Sequence, residues 1–324
     1  MLRIDREKLL RELKKLNPEK VGLQFPEGLK SRAPEIADSL NYDTYLYGGN
    51  TYGACDVADK DMSFCDCLVH FGHAEMPLEF EIPVIFMEVF DDIDLIPSLR
   101  ENLEYLQEKG RHIGLATTVQ HIPQLKAAET FLKTNGFNVY RGKGTERVRY
   151  DAQVLGCNFS VCKNIEENVD YFLYLGTGTF HPLGIGLSTE KEVVVIDPYT
   201  KKLKNIEDEK IILLKKRYAL IEKAKDAERY GLIISTRKGQ FRIKEALSIK
   251  KRLEKLGKKA YIFLTREISP EKLEGFNMDA HIVCACPRIA IDDQARYKKP
   301  VLTVTEGRLI DTIEDYKFDE IGGI

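Results

Sequence analysis

The sequence has no surplus of charge, no long apolar run and no tightly spaced metal motif, and each absence removes a class of function. Lys and Arg number 49 against 51 Asp and Glu, a formal net charge of −2 over 324 residues. That balance carries no global signal for nucleic acid or for an anionic membrane. No stretch approaches the roughly 18–20 apolar residues that span a bilayer. The N-terminal run MLRIDREKLLRELKKLN reads as a charged amphipathic helix and not as a secretory signal, so a soluble, cytoplasmic protein is expected. Seven cysteines are an odd count without a disulfide framework. Their close pairs, Cys65-x-Cys67 and Cys284-x-Cys286, lack the C-x2-C spacing of structural zinc sites and redox dithiols. No G-x-x-x-x-G-K-[ST] phosphate loop is present.

What is present is a repeated alternation of helix and strand, which predicts an α/β fold with mainly parallel sheets. Three similar units emerge, over 1–91, 92–200 and 201–324, each a small sheet flanked by helices. In each, a charged helix leads into a strand: Arg6–Pro18 into Val21–Phe25, Ser98–Gly110 into Ile113–Thr117, and Lys216–Arg229 into Gly231–Ser235. A polar turn and a further helix follow each strand. Two of these helices, Ile122–Gly136 and Arg242–Gly257, carry apolar residues at three- and four-residue spacing and stop at glycine. Later strands are expected at Tyr45–Tyr47, Cys67–Phe71 and Val84–Val89, at Asn138–Tyr140, Tyr171–Leu175 and Glu192–Asp197, and at Ala260–Leu264, His281–Cys284 and Val301–Val304. Ligands gather at the carboxyl ends of such strands, so three units with those ends turned inward would enclose a central site.

One cysteine in each unit follows a strand-like run among small residues: Cys55, Cys157 and Cys286. Thiolates are preferred ligands of iron–sulfur clusters, and three of them would leave one iron of a 4Fe-4S cluster open. Ligation and simple burial are both readings of these residues. Burial is the expected state of Cys65, Cys67, Cys162 and Cys284, since a free cysteine is commonly a small buried hydrophobe. Cys286 follows the third strand of its unit whereas Cys55 and Cys157 follow the second, an offset the sequence does not explain. His70, His73 and His181 end strands and are candidates to line a cavity as acids, bases or donors. Arg288, two residues past Cys286, presents a fork of donors that suits a carboxylate, and Asp292 and Asp293 are placed to orient it or to start a helix.

Three segments carry a resemblance: Tyr52-Gly-Ala-Cys-Asp-Val-Ala-Asp59, Gln153-Val-Leu-Gly-Cys157, and Ala285-Cys-Pro-Arg-Ile-Ala-Ile-Asp-Asp293. In order and at large spacing, they make the whole chain resemble the archaeal diphthamide-synthesis enzymes, non-standard radical S-adenosylmethionine proteins that act in the first step. The resemblance implies a homodimer with a 4Fe-4S cluster on Cys55, Cys157 and Cys286 of each subunit. It implies transfer of a 3-amino-3-carboxypropyl group from S-adenosylmethionine to a histidine of translation elongation factor 2, with methylthioadenosine released and an electron donor required. The compact C-x3-C-x2-C loop of ordinary radical S-adenosylmethionine enzymes is absent here. From their placement at strand ends, Gln24, Ser235, Arg237, Gln240 and Arg288 are candidate S-adenosylmethionine contacts. The lysine-rich Lys244–Lys259 helix is a candidate docking face, though a solvated helix face explains it as well. A quinolinate-synthase-like dehydratase with a three-cysteine cluster is the alternative enzyme, and a non-catalytic cluster-bearing partner subunit is the alternative from another class.

Overall fold

The computed structural model describes residues 2–312 and 314–322. Three sheets dominate it. The first runs Asp43–Leu46, Lys20–Gln24, Cys67–Phe71, Val84–Met87, all parallel. The third runs Lys259–Thr265, Arg229–Ser235, Ala280–Cys284, Val301–Thr303, also parallel. The second holds Asn138–Tyr140, His112–Ala116, Tyr171–Leu175 and Val193–Ile196 in parallel, then Leu203–Asn205 as an antiparallel edge. Numbered by appearance, the four parallel strands in each of these three sheets follow the spatial order 2-1-3-4. The direction of winding reverses between the first and third strands, and ligands bind at the carboxyl side of such a switch point.

The strands form where the sequence supplies short apolar runs that both faces of a sheet can bury. All five residues of Cys67–Phe71, Tyr171–Leu175 and Ala280–Cys284 are buried, as expected for central parallel strands covered by helices. The first helix, Arg6–Leu16, starts where Asp5 accepts the Lys8 amide at 2.9 Å and stops at Asn17 in the left-handed region, φ 47°.

Four elements depart from the sequence expectation. The Ser98–Gly110 helix is two pieces, Ile96–Glu101 and Leu103–Lys109, broken at Asn102, whose amide donates back to Ser98 O at 2.8 Å. That side-chain bond competes with the helical ladder. The helix before the third sheet starts at Glu207, well ahead of Lys216, because an acidic first turn supports an N-terminus there. The edge strand Leu203–Asn205 and the pairing of Leu2–Ile4 with Val89–Asp91 leave no apolar run long enough to read locally. No helix among the described residues is long and apolar enough to cross a membrane.

Candidate metal centre

The first two sheets hold their cysteine loops by the carboxyl end of strand one. Gln24 closes Lys20–Gln24, and its fully buried amide grips the Cys55 loop: Nε2 donates to Asp56 O at 2.7 Å and to Thr51 Oγ1 at 3.1 Å, while Oε1 accepts the Ala58 amide at 3.0 Å. In the second sheet the segment 152–154 pairs with the end of His112–Ala116. Thr117 N donates to Ala152 O at 3.0 Å and Val154 N to Thr117 O at 2.8 Å, which carries Cys157 to that edge. In the third, Cys286 follows Ala280–Cys284 directly and precedes the helix Pro287–Asp292. The offset of Cys286 has a topological reason. Strands two and three flank strand one in every sheet, so a loop leaving either of them overhangs the same switch point.

The three cysteines line one cavity of about 260 Å³, together with His73, His181, Arg147 and Arg288. Each thiol lies within electrostatic reach of the others. Burial raises all three pKa values, Cys157 to about 11, and for Cys286 the neighbouring Cys157 and Cys55 add to the rise. The other four cysteines sit in separate apolar cores: Cys67 under the first sheet, Cys65 beside it, Cys162 under the second and Cys284 under the third. Cys284 and Cys286 therefore do not compete.

The loops interlock through residues that lie far apart in sequence. Gly239 N donates to Cys55 O at 3.2 Å, and Gln240 Nε2 donates to Cys55 Sγ at 3.2 Å. A Cβ on Gly239 would stand 2.5 Å from Cys55 Cβ, so only glycine permits this approach. Arg147, buried beside Cys157, donates to Gly239 O at 2.9 Å and pulls the Cys157 pKa downward against burial. The C-terminal segment returns across the same loop, where Ile321 N donates to Cys157 O at 2.8 Å. Arg147 has no motif around it; only its burial against two thiols marks it.

A second cavity of about 460 Å³ adjoins the first and shares Tyr52, Cys55, Cys286 and Arg288 with it. Arg237 and Gln240 line this chamber. Arg237 pairs with buried Asp56 at 2.8 Å and lies over the Tyr52 ring. Arg288 stands at the boundary, its guanidinium 4.4 Å from the Phe180 ring centroid and paired with Asp292 at 2.7 Å, so Asp292 orients it. Gln24 and Ser235 line neither cavity. Their side chains are fully buried and hydrogen-bonded to neighbouring groups, Gln24 as described and Ser235 Oγ accepting the Arg237 amide at 3.2 Å.

Among the described residues, no group of three His, Cys, Asp or Glu is arranged around a single metal ion. A mononuclear site needs its donors about 2.0–2.3 Å from one point. A polynuclear cluster binds each thiolate to a different iron, so its ligands stand further apart. Three thiols in one cavity, with donors aimed at sulfur, fit the donor set of an iron–sulfur cluster.

Residues 25–320 match the family described as "Putative diphthamide synthesis protein". The chain belongs to the diphthamide synthesis family. It is 43% identical to the 2-(3-amino-3-carboxypropyl)histidine synthase of Pyrococcus horikoshii, across 99% of this chain and 94% of that one. It is 30% identical to the enzyme of the same name from Methanocaldococcus jannaschii over the same shares. Subunit 1 of that synthase from Caenorhabditis elegans is 34% identical over 87% of this chain and 73% of its own. The crystal structure of Dph2 from Pyrococcus horikoshii with a 4Fe-4S cluster superposes with a TM-score of 0.94 at 42% identity, covering 100% of this chain and 95% of that one. Membership in this family sets aside the dehydratase reading.

Proposed function

We propose that this chain is the transferase of the first step of diphthamide synthesis. It moves the 3-amino-3-carboxypropyl group of S-adenosylmethionine onto ring carbon 2 of a histidine of translation elongation factor 2, by a radical route that releases methylthioadenosine. The observation that carries the reading is the meeting of Cys55, Cys157 and Cys286, one beside each sheet, in a single cavity that opens into a larger chamber. These thiolates hold a 4Fe-4S cluster in this reading, within units spanning 1–91, 92–200 and 201–324. When bound, that cluster supplies one electron and an open iron.

The chain's own residues then have distinct tasks. Gln240 Nε2 donates to Cys55 Sγ, and the Arg147 charge lies beside Cys157. Both favour the deprotonated, electron-rich sulfurs that ligation requires. Arg288 and Arg237 present guanidinium forks to the chamber for the methionyl carboxylate, and Gln240 contributes a polar contact beside them. Which carbon–sulfur bond breaks is a matter of orientation, so fixing the amino acid end selects the aminocarboxypropyl carbon over the adenosyl carbon. Enclosing walls keep water and stray hydrogen donors from a reactive carbon. A cytoplasmic homodimer served by a separate electron donor completes the proposal.

The deciding experiment is anaerobic reconstitution with iron and sulfide, reduction with dithionite, and addition of S-adenosylmethionine and elongation factor 2. Methylthioadenosine and an elongation factor heavier by one 3-amino-3-carboxypropyl group are expected. 5′-Deoxyadenosine as the main nucleoside product would refute the bond choice. Sedimentation of the same preparation as a monomer would refute the homodimer.

A further inference from the structure

His70 and His73 form a hydrogen-bonded pair whose tautomers are set by backbone groups. The chain of reasoning starts at Gln24. Asp56 O is a carbonyl and accepts from Gln24 Nε2, while the Ala58 amide donates to Gln24 Oε1, so the amide cannot be reversed. Parallel pairing sets Gln24 beside His70, and His70 Nδ1 lies 2.9 Å from that same Oε1. An acceptor there requires His70 Nδ1 to carry the proton. Gly72, at φ +88°, turns the chain so that His70 Nε2 meets His73 Nδ1 at 2.9 Å. His70 is wholly buried, and burial drives its pKa well below the ordinary value. Its Nε2 is therefore bare and accepts from His73 Nδ1–H. His73, held neutral by burial in the same way, is left with a bare Nε2. His73 is half-buried as a residue and lines the cysteine cavity.

We infer that the Gln24–His70–His73 chain holds His73 Nε2 as a fixed hydrogen-bond acceptor that seats the ring N–H of the incoming substrate imidazole. This rests on the proposed transfer to a histidine. Ring carbon 2 lies between the two ring nitrogens, so anchoring one N–H places that carbon one bond from the anchored nitrogen, in the cavity that the three thiols also line. A neutral nitrogen also avoids the cost of pressing a cation against another imidazole. His73 is a binding residue in this scheme; His70 and Gln24 are positioning residues.

The test uses the full chain without its cluster, labelled with nitrogen-15 histidine at neutral pH, with His73 signals assigned by His73→Gln. Proton–nitrogen correlation is expected to show a protonated Nδ1 and a bare Nε2 on His73. 4-Methylimidazole is expected to shift the Nε2 signal, and S-adenosylmethionine to leave it in place. A protonated Nε2, an Nε2 that 4-methylimidazole does not move, or a shift caused by S-adenosylmethionine overturns the inference. In the reconstituted enzyme, modified histidine formed per methylthioadenosine is expected to fall about tenfold in His73→Phe, as for one lost hydrogen bond. His73→Gln, whose amide oxygen accepts the same bond, is expected to restore part of it. Equal coupling in all three proteins overturns the inference. A wild-type enzyme that makes no methylthioadenosine refutes the transfer reading instead, and the spectroscopic arm still decides this one.

Discussion

Side-chain direction separates a cavity-lining thiol from a buried hydrophobe, and two cysteines at the end of Ala280–Cys284 show it. Cys284 points into the apolar layer formed with Ile282, Leu302 and Val304, whereas Cys286, past the strand end, lines the cavity. Replacing Cys55, Cys157 or Cys286 singly with Ala is expected to abolish the 4Fe-4S absorbance and most bound iron after anaerobic reconstitution. Cys284→Ala is expected to keep the iron and to cost about 1 kcal/mol in urea unfolding, the loss of a small buried group. Burial also governs His281, 4% exposed, whose pKa it lowers from 6.5 to about 4. The unfolded chain binds the extra proton between those values, so stability is complete above pH 6.5 and falls as pH drops toward 4. On the order of 2–3 kcal/mol is at stake for this one residue. Unfolding midpoints of the cluster-free chain against pH are expected to fall less steeply in His281→Gln than in the wild type.

At the scale of elements, the short helix Val304–Arg308 shows how a local motif is tied to long-range packing. Thr303 and Glu306 form a reciprocal capping box, with the Thr303 amide 2.8 Å from Glu306 Oε2. The same carboxylate takes Arg217 of the long helix Glu207–Lys225 in a bidentate pair at 2.6 and 2.5 Å, and Tyr316 donates to it at 2.9 Å. Arg217 is 1% exposed and Glu306 fully buried. A neutral partner leaves a buried guanidinium uncompensated, so Glu306→Gln is expected to destabilise the chain by about 3–5 kcal/mol. Urea midpoints measure it, and a change under 1 kcal/mol would contradict the account. The capping motif T-x-x-E is visible in the sequence; Arg217, which gives it its weight, lies about ninety residues earlier and has no local mark.

Across the whole molecule, the cysteine loops are held by contacts between sheets. Asp56 of the first loop pairs with Arg237 beyond the third sheet's opening strand, and Lys238 reaches Asp59 at 2.6 Å. The C-terminal segment joins the second and third sheets: Asp319 accepts Arg242 at 2.7 Å, Glu320 accepts the Phe159 amide at 2.9 Å, and Ile321 binds the Cys157 carbonyl. Ending the chain after Tyr316 removes all three and leaves the buried Arg242 only Glu245 at 3.3 Å and the Ala285 carbonyl at 3.5 Å. The truncated protein is expected to keep its helix and strand content by circular dichroism while retaining less than about half the wild-type iron, because Cys157 loses the strap that fixes its loop. Full iron retention would show that the segment is dispensable to the site.

The helix–strand alternation, the three cysteine contexts and the family they resemble were legible in the chain itself, because periodicity and short motifs are local properties. Strand positions such as Cys67–Phe71 and Tyr171–Leu175 followed from apolar runs, and the small residues around Cys55, Cys157 and Cys286 marked these thiols as candidates with ligation and burial both open. Tertiary structure alone decided what depends on distance across the fold. It put Arg147 against Cys157, withdrew Gln24 and Ser235 from the cavity wall into the backbone network, and closed the Gln24–His70–His73 chain. Those relations join residues tens to hundreds of positions apart, and their energies come from burial and geometry that no stretch of sequence contains.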